Sequence, residues 1–153
     1  MFCCKFMPCT NAYAMALVMF AVLVSECASD KHSNPIFEKV RVSVSNDIYD
    51  GISLNIHCKS KDDDLGEHEL AHGENFNWKF RINILDSTLY WCSMWWNDVN
   101  GRLVKGSYAL YEAEREWNRC ENECNFSVEA FGISEYMLSI KGYQEVYQWP
   151  LHP

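Results

Sequence analysis

Apolar residues recur at every second position through most of this chain, and that period restricts the fold more than any other feature. Phe76, Trp78, Phe80, Ile82 and Ile84 give the clearest run, five apolar positions alternating with polar ones. Successive side chains of a strand point to opposite faces, so such a run buries one face and wets the other. Val40, Val42 and Val44 repeat the pattern within residues 38–46, and Ile52, Leu54, Ile56 and Cys58 repeat it next. Residues 88–96 are apolar on both faces, which predicts a central or covered strand. Asn46-Asp47, Asp50-Gly51 and Asp86-Ser87 supply turn chemistry. Asn100-Gly101 predicts a hairpin into a return strand over 102–110. Phe126 and Val128, then Tyr136, Leu138 and Ile140, predict a final hairpin over 124–130 and 132–140, and the polar stretch 59–66 reads as a loop. Beyond residue 28 no long 3.6-residue period occurs, although 112–120 has room for a helical turn. The expectation is an all-β domain of about seven or eight short strands, an antiparallel sandwich or barrel.

Residues 1–28 read differently. Lys5 is the only charge before Glu26, and residues 12–24 form an unbroken, mostly apolar run of 13. A bilayer requires roughly 20 such residues, so the run suits a signal-peptide core rather than a membrane span. The small residues Ser25, Cys27 and Ala28 place cleavage after Cys27 or Ala28. The expected organisation is a signal peptide over 1–28 and one secreted domain over 29–153, without membrane insertion. Four cysteines remain in that domain: Cys58, Cys92, Cys120 and Cys124. In an oxidising compartment an even number predicts two disulfides, with three connectivities open. Cys120 and Cys124 lie too close in sequence for a mutual bond to constrain much chain. Cys58 and Cys92 are therefore expected each to pair with one of them, each bond contributing about 3–4 kcal/mol by loop closure. No CxxC knuckle accompanies Cys58 or Cys92, which argues against structural zinc.

Charge narrows the partners. Setting aside Lys5 and Glu26 from the chain's 13 basic and 21 acidic residues leaves 12 and 20, a net charge of −8. Such a surface repels phosphate backbones and favours a basic protein surface, so nucleic acid is not an expected partner. The string His68-Glu69-Leu70-Ala71-His72 matches HExxH, in which a helix puts two zinc-binding His on one face. Here Gly66 and Gly73 bracket it and strands flank it, so a zinc hydrolase is the least favoured reading. Asp62-Asp63-Asp64 lacks the alternating spacing of a calcium loop. There is no GxSxG and no Gly-rich phosphate loop. No catalytic residue, metal or cofactor is expected. Asn125-Phe126-Ser127 is a sequon, which makes Asn125 a candidate glycosylation site. The six Trp read mainly as core and hairpin packing.

The ten residues His57-Cys58-Lys59-Ser60-Lys61-Asp62-Asp63-Asp64-Leu65-Gly66 resemble the HCxSxDDDLG signature of the plant self-incompatibility protein S1 family, the S-protein homologues. His57, Cys58, Ser60, Asp62, Asp63, Asp64, Leu65 and Gly66 carry the match. Gly73, Trp78 and Phe80 resemble the family's G…WxF segment. Thr88 to Cys92 resemble its T-x-F-x-C strand, and Cys120 and Cys124 its closing pair. Phe126 stands where the family usually has Trp, and the tail 142–153 looks idiosyncratic. The resemblance covers about residues 38–140. It implies a secreted plant protein with a β-sandwich, two disulfides and no known catalysis, acting as an extracellular signalling ligand for a cell-surface receptor in self-incompatibility-like recognition. The alternative is a secreted inhibitor or glycan-binding defence module. The contact regions expected for a ligand are the inter-strand loops 59–66, 97–101 and 112–123.

Overall fold

Val40, Val42 and Val44 are all fully buried in the first strand, β1 (Lys39–Asn46), as their spacing predicts. The computed structural model describes residues 39–82 and 87–150. After β1 come β2 (Leu54–Lys59), β3 (Asp64–Leu70), β4 (Asn75–Arg81), β5 (Leu89–Asn97) and β6 (Leu103–Glu112). A single helical turn, α1 (Ala113–Glu116), leads to β7 (Glu123–Val128), β8 (Gly132–Met137) and β9 (Gly142–Gln148). The expected signal peptide, and Ile84 of the β4 pattern, lie outside the described residues.

Among the described residues nine strands form two sheets, β4-β1-β7-β8-β9 and β3-β2-β5-β6, packed face to face as the expected all-β sandwich. The count exceeds seven or eight for two reasons. Asp64 and its neighbours pair with β2 rather than looping free, and the tail adds β9 against β8. Pairing is antiparallel throughout except between β1 and β7, which run parallel. β5 lies between β2 and β6, the central position predicted by its two apolar faces. Its inward residues Tyr90, Cys92, Met94 and Trp96 are buried.

The tail is structural rather than idiosyncratic. Trp149 is buried, donates its indole N–H to the Glu129 carbonyl at 2.7 Å, and meets Trp96 edge-on at 4.9 Å. Gly106 of β6 makes this close approach feasible, because a Cβ there would sit 2.9 Å from the Trp149 ring. Of the six Trp, three are core (Trp78, Trp96 and Trp149), while Trp91, Trp95 and Trp117 retain solvent contact.

The cysteine pairing differs from the expected one: Cys58 bonds Cys92, and Cys120 bonds Cys124. Cys58 and Cys92 stand opposite each other in the β2–β5 ladder, both pointing inward, with Cα atoms 4.0 Å apart. A bond across neighbouring strands needs a register that sequence separation does not reveal. Cys120 and Cys124 then close the tight turn between α1 and β7.

Strand directions sort the connections between two ends of the sandwich. Turns 60–63, 113–122 and 138–141 lie at one end; turns 47–53, 71–74, 98–102 and 129–131 lie at the other.

Candidate functional site

The ten-residue signature occupies the first end and is used there for architecture. Ser60 organises the turn: its Oγ accepts the Asp63 N–H at 2.9 Å and the Asp62 N–H at 3.2 Å, while its own N–H bonds the Asp63 carbonyl at 2.8 Å. Asp63 accepts the Tyr90 hydroxyl at 2.9 Å, tying the turn to β5. Desolvation, reinforced by that carboxylate, pushes the Tyr90 hydroxyl up to about 12. Asp64 meets His57 Nε2 at 2.6 Å, Lys59 Nζ at 2.9 Å and the Gly66 N–H at 3.0 Å. Those contacts, His57 first, hold its carboxyl well below the usual carboxylate range. Gly66 has φ +78°, a left-handed conformation that a side chain disfavours. Leu65 is half-buried against the core. Lys61 and Asp62 remain outward, on the rim of a cleft of about 620 Å³ that Phe80, Arg81 and Trp91 also line. Three consecutive carboxylates thus have three different surroundings, so a shared calcium site does not form from them.

The expected contact loops divide between the ends. Residues 59–66 and 112–123 lie at the first, and 97–101 at the second. In 112–123 the residues Ala113, Glu116 and Cys120 are buried, which leaves that segment only partly available. The second end has a different character. Asp98 accepts the Asn100 and Arg102 N–H groups and the Arg102 guanidinium, each at 2.8 Å, which fixes the hairpin and lowers its carboxyl pKa. Fully buried Asn46 holds the neighbouring turns: Nδ2 donates to the Ile52 and Leu70 carbonyls at 2.8 and 2.9 Å, and Oδ1 accepts the Ile48 N–H at 3.2 Å. On this scaffold Val99 and Phe131 are 75% and 74% exposed, with Tyr49 and Leu103 also open. They surround a depression of about 510 Å³ floored by Trp96 and Trp149. Exposed acids at Asp47, Asp50 and Glu74 stand among the same turns. Tyr49, Leu103 and Phe131 were not singled out from the sequence. The usable signal was Phe131, a large apolar residue at the predicted hairpin turn between the strands 124–130 and 132–140.

Other candidate residues are placed as follows. His68 and Glu69 lie on β3, not on a helix, and so face opposite sides; His72 sits in the following turn. His68 stacks on Phe76 at 4.0 Å and bonds the Leu65 carbonyl at 2.9 Å. The HExxH geometry is therefore not formed. Asn125 lies half-exposed on β7, on the face opposite buried Cys124 and Phe126. Sequence reading also missed a buried acid pair, Glu116 of α1 and Glu135 of β8. Arg119 approaches Glu135 at 3.3 Å and Arg115 pairs with Glu116. Burial, and next the adjoining Glu116 carboxyl, push Glu135 up to about 8. Cys120 adjoins both acids but is spent in its disulfide.

Comparison with known proteins bears on the whole domain. Residues 41–149 match the family model described as plant self-incompatibility protein S1. S-protein homolog 24 of Arabidopsis thaliana is 39% identical over 142 residues, covering 91% of this chain and 89% of the relative. S-protein homolog 28 of the same plant is 36% identical over 142 residues with the same coverage. The fold matches a solved structure described as a self-incompatibility protein homologue, from a widespread family of small, highly stable, secreted plant proteins. That match has a TM-score of 0.56 at 16% identity and covers 74% of this chain and 96% of the other.

Proposed function

The chain belongs to the plant self-incompatibility protein S1 family, and from that membership we propose that it is a secreted signalling ligand, read by a cell-surface receptor through the second end of its sandwich. The observation that carries the reading is the cluster of Tyr49, Val99 and Phe131 on the turns with Leu103 at the start of β6. Large apolar side chains on turn positions serve no core, and an apolar centre with a polar rim is the anatomy of a protein interface. The acids Asp47, Asp50 and Glu74 suit a receptor surface with a basic rim, in keeping with the net charge of −8. The signature loop supports the sandwich instead of meeting the receptor, since Ser60, Asp63, Asp64 and Gly66 are engaged internally.

Secretion follows in this reading from removal of residues 1–28, giving a mature chain that begins at Ser29. Among the described residues no helix is long and apolar enough to cross a membrane. The test is binding of labelled mature protein to intact plant cells. Saturable binding, displaced by unlabelled protein and abolished by Phe131→Asp, is the expected result. Binding that is unsaturable, or that Phe131→Asp leaves unchanged, would overturn the reading.

A further inference from the structure

The outer face of the four-stranded sheet carries a second surface, remote in character from the acidic, apolar end. Along β5 the outward residues are Trp91, Ser93 and Trp95, and Trp91 is 39% exposed. The ladder sets Asn55 and His57 of β2 beside Trp95 and Ser93, and Ser107 of β6 beside Ser93 from the other side. The Ser93 and Ser107 hydroxyls lie 3.0 Å apart at the surface. Two indole rings four residues apart on one strand are separated by about 13 Å, with hydroxyl, amide and imidazole groups between and beside them. A shallow depression of about 440 Å³ opens next to Trp95, lined in part by Ser93 and Ser107, and Trp91 borders the larger cleft at the first end.

The charge pattern selects the occupant. The domain is strongly acidic, yet from Trp91 to Trp95 and across to β6 this face holds no acid and a single cation, Lys105; Glu112, opposite Leu89, lies beyond the end of the strip. On the β2–β3 side Lys59 pairs with Asp64 at 2.9 Å, while the exposed acids Glu67 and Glu69 stand opposite His57 and Asn55 and flank the strip. A strip with no acid of its own, flanked by Glu67 and Glu69 on a chain of net charge −8, repels a polyanion. What it does offer matches a polyol. The negative face of an indole attracts the polarised C–H groups on one side of a sugar ring, and the flanking hydroxyls and amide donate to and accept from sugar hydroxyls. From this juxtaposition we propose that the Trp91–Ser93–Trp95 strip binds a neutral polysaccharide chain lying along β5. This goes beyond the receptor reading and does not depend on it, since Trp91, Ser93 and Trp95 lie outside the receptor cluster, which meets the depression beside Trp95 only at Leu103.

The probe is native electrophoresis of the purified mature protein through gels cast with soluble β-glucan, xyloglucan or galactomannan, and with polygalacturonate as the charged counterpart. Retardation in at least one neutral gel is expected. Trp91→Ala and Trp95→Ala should each weaken it about tenfold, which corresponds to roughly 1.4 kcal/mol. Ser107→Glu, which leaves both indoles in place and adds a charge to the strip, should weaken it as well and keeps the test decisive if Trp95→Ala fails to fold. Phe131→Asp should leave retardation unchanged, which separates this site from receptor binding. Absence of retardation in every neutral gel, retardation by polygalacturonate alone, or retardation that survives folded Trp91→Ala and Ser107→Glu would overturn the proposal.

Discussion

Replacing Glu135 by Gln should remove most of the pH dependence of stability between mildly acidic and neutral solution. Glu135 is fully buried against the Glu116 carboxyl, and Arg119 approaches one of its oxygens at 3.3 Å. Two carboxylates cannot both ionise cheaply in such a place, and Glu135 is pushed from 4.5 up to about 8. The folded state therefore holds a proton that the unfolded chain releases above pH 4.5. A raised acid pKa contributes stability that is full below the unfolded value and lost as pH rises through the folded one. At about 1.4 kcal/mol per unit, the loss between pH 4.5 and 7 is on the order of 3 kcal/mol. Asp64 and Asp98 act oppositely, but both are depressed from 3.8, so their losses fall at more acid pH. Gln keeps the shape, and its amide donates to Glu116 at every pH. Urea unfolding at pH 5, 6, 7 and 8 should give a wild-type free energy that declines steadily and a Glu135→Gln value that is nearly flat. A flat wild-type profile, or a variant that keeps the wild-type slope, would refute the account of this pair.

Other perturbations separate the structural parts. Removing the Cys58–Cys92 bond by double Ala substitution should cost about 4 kcal/mol by loop closure, and removing Cys120–Cys124 about 2 kcal/mol, since the bonds span 34 and 4 residues; denaturant midpoints would rank them. Asn46→Leu leaves the Ile52 and Leu70 carbonyls and the Ile48 N–H without their side-chain partner, and should cost roughly 2–4 kcal/mol in the same assay. Gly66→Ala, at φ +78° with open space around its Cβ, should cost only about 1–2 kcal/mol, from backbone strain alone.

Much of the sandwich is legible in the chain because alternation is local. Val40, Val42, Val44, Leu54 and Ile56 declare their inward face within a few residues, and all are buried. Asn100-Gly101 declares its hairpin the same way. What was missed is nonlocal. Cysteine pairing depends on the β2–β5 register, and β1 finds β7 in parallel across some eighty residues of chain. β9 is mostly exposed along its length, so its apolar pattern is faint, and its anchor Trp149 lies just beyond the strand. The carboxylates of the signature look alike in sequence; only the fold assigns Asp63 to Tyr90 and Asp64 to His57 and Lys59. Val99 was within an expected contact loop, whereas Tyr49 and Phe131 join it only when three turns meet at one end.

A photo-crosslinking side chain placed at Phe131, in mature protein applied to intact plant cells, tests the receptor claim most directly. The account predicts a covalent adduct with a cell-surface protein, suppressed by excess wild-type protein, and no such adduct when the crosslinker replaces Lys61 at the opposite end. Adducts from Lys61 but not from Phe131, or no competed adduct from either, would contradict it.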